Sequence, residues 1–418
     1  MSELIINGGR RLDGSVQLQG AKNSALPILA ATLLCRGESV IHNCPQISDV
    51  DASMKILRSL GCNCSVSGHT VTVNSAAADK SAICDELMSE MRSSVIFLGA
   101  LLAVNSSAEL CAPGGCELGL RPINLHIDAF RRMGAEISEE HGRIKCRCLD
   151  GLHGCAIDLP VASVGATENI MIAASMAKGQ TVIRNAAKEP EICDLADYLR
   201  RCGAHISGDG GTVISVEGVS SLHGCEHNVI PDRIAAATYL SAVASCGGDV
   251  YVRSASETHL VSVLPCFERM GCTVLPDNGG IRIKSSGRLN KLDTVRTSEY
   301  PGFPTDAQPV LLAASCLADG TSVFVENIFS NRFRYVSGLT KMGAKVNVVD
   351  RVAVVDGVKS LTSANVEATD LRGGAAMVIA ALAANGLSKI SAVHHIERGY
   401  ENISEAFTCL GADIKKES

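Results

Sequence analysis

The feature that most constrains the fold is a short sequence motif that recurs along the whole chain. Its copies read LRSLGCNC, FRRMGAEI, LRRCGAHI, FERMGCTV, LTKMGAKV and FTCLGADI, with central glycines Gly61, Gly134, Gly203, Gly271, Gly343 and Gly411. Successive glycines are 68 to 73 residues apart, so six copies account for the 418 residues. The chain is therefore predicted to contain one structural unit repeated six times.

Each of these glycines is predicted to end an amphipathic helix. Before Gly134, the apolar residues Ile123, Ile127, Phe130 and Met133 recur at helical spacing. A glycine at the end of such a helix can adopt the left-handed conformation of a C-cap, and a strand-like segment follows it.

A second kind of helix, rich in alanine and apolar on nearly every side, precedes each amphipathic one. Such helices are expected to be wholly buried. They are predicted at Ser24–Cys35, Ser93–Val104, Thr167–Ala177, Arg233–Ala244, Gln308–Ala318 and Gly373–Ala384. Strands with alternating patterns are predicted outside them, so the expected class is α/β, with helices inside and sheets outside.

Composition excludes several classes of function. The net charge is −6 and aromatic residues are 3%, which argues against a nucleic-acid-binding protein. The 18 cysteines include no C-x-x-C pair, so we predict reduced core thiols and neither a metal nor a cofactor. No secretory signal and no apolar stretch of about 20 residues is present, which predicts a cytoplasmic protein without membrane contact.

The starts of the buried helices carry charged or polar residues. They are Lys22–Asn23, Arg92, Ser163, Asp232–Arg233, Asp306, and Asp370 with Arg372. A cation beside a helix N-terminus opposes the helix dipole, at a cost of about 0.3–1 kcal/mol. If these starts face a common cleft, their cations and backbone N–H groups suit a phosphate. The alternative is that they are solvated caps.

The segment APGGCELGLRPINLH is predicted to be a mobile loop, because Pro113, Gly114 and Gly115 continue neither a helix nor a strand. It presents the thiol of Cys116 and, five residues later, the guanidinium of Arg121. This arrangement indicates a lid that closes over a bound anion. A surface loop with an incidental cysteine is the alternative.

Two carboxylates and several isolated arginines have two interpretations each. Asp306 and Asp370 suit either general-base chemistry or the capping of the helix that follows. Arg121, Arg332 and Arg398 suit either capture of a carboxylate or phosphate, or surface ion pairs.

Specific blocks of sequence resemble one enzyme family over essentially the full length. They include GAKNSALPILAATLL, PGGCELGLRPINLH, SVGATENIMIAA, PGFPTDAQ, ENIFSNRF, ATDLRGG and HHIERGYE. With them the chain resembles the UDP-N-acetylglucosamine enolpyruvyl transferases. The resemblance implies two domains, each of three βαβαββ-type units packed as an inside-out α/β barrel, with the active site between them. It places residues 22–230 in one domain, and residues 1–21 and 231–418 in the other.

The resemblance also implies the reaction. Such an enzyme transfers the enolpyruvyl group of phosphoenolpyruvate to the 3-hydroxyl of UDP-N-acetylglucosamine and releases phosphate, the first committed step of peptidoglycan synthesis. Two alternatives are the corresponding transfer to shikimate-3-phosphate and a catalytically silent repeat protein that binds sugar nucleotides.

Residue roles follow from the matching motifs. Cys116 corresponds to the general acid that fosfomycin alkylates, Asp306 to the base, and Asp370 to a carboxylate that assists proton transfer, with Lys22 and Arg398 also catalytic. The implied phosphoenolpyruvate site comprises Lys22, Arg92, Cys116, Arg121, Arg332, Arg372 and Arg398. The implied UDP-N-acetylglucosamine site comprises Asn23, Arg92, Arg121, Pro122, Ile123, Asn124, Leu125, Ser163, Val164, Gly165, Asp306 and Ile328. The chain departs from some members at Asn124, Val161 and Ala235–Ala237.

Overall fold

The computed structural model describes residues 2–111 and 123–417. These residues form two compact units, which we call the terminal unit (2–19 and 231–417) and the central unit (20–111 and 123–230). Each unit has a hydrophobic core of its own.

Apart from the short helix Asp85–Glu90, the helices of the described residues are of the two kinds that the sequence predicts. In chain order the helices are α1 (Lys22–Ala31), α2 (Ser48–Ser59), α3 (Asp85–Glu90), α4 (Phe97–Asn105), α5 (Asn124–Arg132), α6 (Val164–Ala174), α7 (Pro190–Arg201), α8 (Arg233–Cys246), α9 (Leu264–Arg269), α10 (Gln308–Ser315), α11 (Val336–Lys341), α12 (Leu371–Ala383) and α13 (Ile403–Cys409). Short 3₁₀ turns lie at Thr32–Leu34, Arg92–Ile96, Glu257–His259, Arg332–Tyr335 and Val393–Arg398. The predicted buried helices correspond to α1, α4, α6, α8, α10 and α12, with ends that differ by a few residues.

The strands are mostly short. They are β1 (Glu3–Asn7), β2 (Leu12–Gln17), β3 (Cys35–Arg36), β4 (Glu38–His42), β5 (Asn63–Ser67), β6 (Thr70–Asn74), β7 (Ser107–Cys111), β8 (Glu136–Glu140), β9 (Arg143–Arg147), β10 (Ala156–Asp158), β11 (Gln180–Arg184), β12 (His205–Ser207), β13 (Val213–Glu217), β14 (Leu222–His223), β15 (Glu226–Asn228), β16 (Gly248–Arg253), β17 (Thr273–Asp277), β18 (Gly280–Ser285), β19 (Leu289–Asn290), β20 (Thr294–Arg296), β21 (Ala318–Asp319), β22 (Thr321–Val325), β23 (Lys345–Val349), β24 (Val352–Asp356), β25 (Asn365–Glu367), β26 (Leu387–Ser391) and β27 (Asp413–Glu417). The α/β class predicted from the sequence is confirmed.

In the terminal unit, α8, α10 and α12 contact one another and are almost entirely buried. Its four-stranded sheets have the orders β25-β26-β1-β27, β17-β18-β16-β2 and β20-β22-β24-β23. Each sheet contains one parallel edge pair, and its other pairs are antiparallel. Alternate residues of the strands, such as Ser322 and Phe324 of β22, are buried. One face of the sheet therefore covers the core.

The central unit repeats this organisation around α1, α4 and α6, which also contact one another. Its larger sheets have the orders β15-β4-β6-β5, β10-β11-β13-β12 and β7-β9-β8. The parallel pair β10–β11 and the antiparallel pair β11–β13 follow the same rule as in the terminal unit.

The repeated glycines adopt the backbone conformation that the sequence predicts. Gly61, Gly134, Gly203, Gly271, Gly343 and Gly411 have φ angles between +87° and +104°. Each follows an amphipathic helix; α5, for example, buries Ile127 and Phe130 and exposes Asp128. The left-handed C-caps are confirmed, and a side chain at any of these glycines would be strained.

Within residues 2–111 and 123–417, no helix is both long and apolar enough to cross a membrane. In the same residues no group of three His, Cys, Asp or Glu side chains is arranged to hold a metal ion. The cysteines of this part of the chain are free thiols.

Candidate active site

Asp306 lies just before α10, between two arginines. Its Oδ1 accepts a hydrogen bond from Nη2 of Arg332 at 2.9 Å, and its Oδ2 accepts from Nε and Nη2 of Arg372 at 3.2 and 3.1 Å. The N-cap residue of α10 is Ala307, which has no side-chain cap. The capping interpretation of Asp306 is therefore wrong, and we call Asp306, Arg332 and Arg372 the Asp306 cluster.

Arg332 begins a 3₁₀ turn and is 1% exposed, so the surface ion-pair interpretation of this residue is also wrong. Its Nη2 also donates to the carbonyl oxygen of Thr305 at 2.8 Å. The guanidinium carbon lies 5.5 Å from the centre of the Phe329 ring, a favourable cation–π distance. Its Nε is buried and has no hydrogen-bond partner among the described residues. A buried unpaired donor is costly, so this one calls for an explanation in the function of the site.

Arg372 comes from the first turn of α12, and a second contact fixes it. Its Nη1 donates to the Tyr400 hydroxyl at 3.3 Å, which shares a hydrogen bond of 2.7 Å with Thr238. Burial alone would lower the pKa of Arg372, but the Asp306 carboxylate and Tyr400 raise it above its ordinary value. Its positive charge is therefore retained in spite of burial.

Asp370 differs from Asp306, although the sequence offers both the same two roles. Its Oδ1 accepts from the backbone N–H groups of Arg372 and Gly373, both at 3.0 Å, so it caps α12. Oδ2 accepts from the Thr369 hydroxyl at 3.2 Å. This cap fixes the first turn of α12, which carries Arg372, so Asp370 helps to position that arginine.

Arg398 and Ile328 lie on connecting segments of the same unit. Arg398 ends the 3₁₀ turn Val393–Arg398, which contacts α12, and it is half-buried. Ile328 follows β22 and is 38% exposed, and its backbone N–H donates to Oε1 of Glu326 at 2.8 Å.

In the central unit, Lys22 forms a buried ion pair. Its Nζ lies 2.5 Å from Oδ2 of Asp49, which comes from the first turn of α2, and both side chains are buried. Lys22 is the first residue of α1, where its charge opposes the helix dipole, and Asp49 offsets that conflict. Asn23, the next residue, is half-buried.

The predicted nucleotide-binding residues of this unit occur at two helix starts. Ser163 caps α6, and its Oγ accepts from the backbone N–H of Ala166 at 3.3 Å. Val164 and Gly165 form the first turn of that helix and are half-buried. Such a turn offers backbone N–H groups to an anion.

The second helix start is that of α5, where Ile123 is the N-cap residue and Asn124 and Leu125 follow. Asn124 is exposed, whereas Ile123 and Leu125 are half-buried. In the same first turn, Nδ1 of His126 lies 2.9 Å from the Asn169 amide nitrogen of α6. This contact fixes the start of α5 relative to α6.

Burial lowers the pKa of His126 to about 4, so the folded protein holds a neutral imidazole that accepts from Asn169. Between its ordinary value of 6.5 and about 4, the unfolded chain binds a proton that the folded chain does not. Stability is therefore expected to fall as the pH falls through this range, by up to about 3 kcal/mol.

Unfolding in guanidinium chloride at pH 7 and pH 4.5 measures this loss of stability for the wild type and for His126→Asn. The control is His141→Asn, which replaces an exposed histidine. The wild type and the control should lose more stability than His126→Asn. Equal losses in all of them would contradict the assignment.

Comparisons with known proteins decide the family. Residues 6–407 match the family described as EPSP synthase (3-phosphoshikimate 1-carboxyvinyltransferase). A relative named UDP-N-acetylglucosamine 1-carboxyvinyltransferase 2, from Caldanaerobacter subterraneus subsp. tengcongensis, is 48% identical over 99% of both chains. The chain belongs to the UDP-N-acetylglucosamine 1-carboxyvinyltransferase family. The family resemblance noted in the sequence is thus confirmed, and the chain is an enzyme.

Solved structures show the fold of this carboxyvinyltransferase. The enolpyruvyl transferase NikO from Streptomyces tendae is 26% identical, with a TM-score of 0.89, covering 99% of this chain and 98% of that one. EPSP synthase from Acinetobacter baumannii is 19% identical, with a TM-score of 0.78, and each chain is covered completely. Because this identity is only 19%, the similarity to EPSP synthase concerns the fold alone.

Several predicted site residues of this carboxyvinyltransferase stay predictions. Cys116, Arg121 and Pro122 lie outside the described residues, and so does the mobile-loop interpretation of their segment. For Arg92 the structure describes the backbone, at the start of the 3₁₀ turn Arg92–Ile96, and not the side chain.

Two residues that contact predicted site residues, one in each unit, were not singled out in the sequence analysis. Nothing in the sequence pattern marked Asp49 as the partner of a buried lysine, because acidic residues are common in the first turn of a helix. Tyr400 was visible only as an aromatic residue near Arg398. Both act through contacts with residues distant in the chain, Lys22 and Arg372.

Proposed function

We propose that this enzyme transfers the enolpyruvyl group of phosphoenolpyruvate to the 3-hydroxyl of UDP-N-acetylglucosamine with release of phosphate. The observation that carries the proposal is the Asp306 cluster, in which a carboxylate lies between two buried guanidiniums at the start of a buried helix. Full-length relatives with the name of this activity support it.

The proposed chemistry has three proton transfers. The Asp306 carboxylate takes the proton of the 3-hydroxyl as the sugar oxygen bonds to the central carbon of phosphoenolpyruvate, and the Cys116 thiol protonates the methylene carbon. In the resulting tetrahedral intermediate the Cys116 thiolate takes back a proton from the methyl group as the carbon–oxygen bond to phosphate breaks, which restores the double bond and the thiol. Asp370 assists these proton transfers in this proposal.

Arginines suit the binding of both anionic groups of phosphoenolpyruvate. A guanidinium binds a carboxylate or phosphate through two parallel hydrogen bonds, and burial strengthens each of them. The unpaired Nε of Arg332 is a donor of this kind. We propose that phosphoenolpyruvate contacts Lys22, Arg92, Cys116, Arg121, Arg332, Arg372 and Arg398.

The sugar nucleotide is proposed to use the helix starts of the central unit and one loop of the terminal unit. The N–H groups of the capped α6 turn suit its diphosphate. The proposed contacts are Asn23, Arg92, Arg121, Pro122, Ile123, Asn124, Leu125, Ser163, Val164, Gly165, Asp306 and Ile328.

We further propose that the repeated helix and sheet units are three copies per domain of one βαβαββ-type unit, arranged as an inside-out barrel. The proposed domain bounds are 22–230 for one domain, and 1–21 with 231–418 for the other. The proposed setting is the cytoplasm and peptidoglycan synthesis, with fosfomycin reacting at Cys116. We expect no role for a nucleic acid, a membrane, a metal or a cofactor.

The choice of acceptor tests this proposal directly. We expect phosphate release from phosphoenolpyruvate when UDP-N-acetylglucosamine is present, and none above background with shikimate-3-phosphate. Each substrate alone is the control. Phosphate release with shikimate-3-phosphate instead would favour the EPSP synthase activity, which the family match also includes. Binding of the sugar nucleotide without any phosphate release would indicate a silent binding protein.

A further inference from the structure

Glu326 is a buried carboxyl group beside the Asp306 cluster, with no role in the reaction as described so far. It follows β22 directly, and the residue is 0% exposed. Its carboxyl group has no ion-pair partner among the described residues, and three neutral donors satisfy it. Burying a carboxyl group without a cation is costly, so its retention calls for a compensating role.

One oxygen of Glu326 holds the loop that carries Ile328. Oε1 accepts from the backbone N–H groups of Ile328 at 2.8 Å and Phe329 at 3.0 Å. The Phe329 ring in turn lies 5.5 Å from the guanidinium carbon of Arg332. The same oxygen therefore fixes an exposed apolar side chain and the ring packed against a cluster arginine.

The other oxygen holds the segment that precedes the proposed base. Oε2 accepts from the Thr305 hydroxyl at 3.0 Å, and Thr305 is the residue before Asp306. The carbonyl oxygen of Thr305 accepts from Nη2 of Arg332 at 2.8 Å. A single side chain thus sets the position of the Ile328 loop relative to Asp306.

We propose that Glu326 is a positioning residue for the transfer, which aligns the Asp306 carboxylate with the sugar nucleotide held at Ile328. This inference rests on the proposed roles of Asp306 and Ile328. A displacement of about 1 Å between a base and its substrate can lower a rate a hundredfold, so such a residue acts mainly on turnover.

Because the two carboxyl oxygens of Glu326 hold different segments, variants that remove one contact or both are expected to change kcat and KM differently. Thr305→Val removes the contact with Oε2 and should lower kcat about tenfold, with little change in KM for UDP-N-acetylglucosamine. Glu326→Ala releases both segments and should lower kcat and raise that KM. Glu326→Gln keeps an acceptor for the backbone N–H groups, and Thr305 can accept from its amide, so it should recover most of the turnover lost in Glu326→Ala.

The controls separate positioning from simple loss of structure. Thr321→Val removes a hydroxyl from β22 that donates to Asp356 at 2.7 Å on the exposed side, and it should leave both constants unchanged. Thermal unfolding of each variant reports its stability. If Glu326→Ala does not fold, Thr305→Val and Glu326→Gln still give the kcat and KM comparison.

The two proposals fail in distinguishable ways. If Asp306→Asn loses turnover while folded Glu326→Ala and Thr305→Val keep wild-type kcat and KM, the positioning role is overturned. It is also overturned if Glu326→Ala lowers kcat by the same factor in the Asp306→Asn background as in wild type, because the effect should pass through Asp306. Full turnover in Asp306→Asn would instead overturn the assigned base.

Discussion

Asp306→Asn is expected to lower kcat by about a hundredfold to ten-thousandfold, the usual contribution of a general base. Asparagine has the same size and can still accept from one of the two arginines, but it cannot take the proton of the sugar hydroxyl. Because the carboxylate now opposes two guanidiniums at 2.9 to 3.2 Å, its removal leaves both positive charges less balanced. The KM for phosphoenolpyruvate, an anion, is therefore expected to stay the same or fall.

Steady-state phosphate release with each substrate varied in turn measures both constants. Asp356→Asn, at an exposed carboxylate of β24 in the same unit, is the matched control and should behave as wild type. Thermal unfolding of the variant shows whether a lower kcat reflects the missing base or a less stable protein. This control is needed because two buried guanidiniums without their counter-ion also destabilise the fold. An unchanged kcat in folded Asp306→Asn would show that another group is the base.

The helices and their ends were predictable because they depend on local sequence. Apolar periodicity distinguishes the buried helices from the amphipathic ones, and it needs a window of about one helix. The repeated glycines were predictable for the same reason, since a left-handed C-cap is a property of a single residue and its helix.

The site was less predictable, as the two aspartates demonstrate. Asp306 and Asp370 both precede a buried helix, and the sequence gives them the same two interpretations. They differ because Arg332 and Arg372, 26 and 66 residues away from Asp306, reach its carboxylate, whereas Asp370 contacts its own helix. Contacts at such separations depend on the packing of whole repeats, which no local pattern contains.

The sequence showed that a cation such as Lys22 at the start of a helix is unfavourable. It did not show which carboxylate offsets that cost. Lys22 opposes the dipole of α1, and that conflict correctly marked a special position. Its partner Asp49 belongs to the next helix, and the ion pair is buried. The sequence therefore indicated where charge concentrates and left open which residues neutralise it.

Cys116→Ser is expected to abolish covalent inhibition by fosfomycin and to lower kcat by about a hundredfold or more. In the expected reaction the thiolate attacks an epoxide carbon, the carbon–oxygen bond breaks, and the released oxygen takes a proton. A serine hydroxyl ionises far less readily than a thiol, so it neither attacks the epoxide nor donates its proton comparably to the methylene carbon.

Mass spectrometry of the intact chain after incubation with fosfomycin separates these two losses, because it does not depend on turnover. Wild type should gain the mass of one inhibitor molecule and Cys116→Ser none. Cys84→Ser, which replaces an exposed cysteine of the central unit, should gain it as wild type does. An adduct on Cys116→Ser would place the reactive thiol elsewhere, and Cys116 would then lose its role as the proton donor, since both functions require the same accessible, ionisable sulfur.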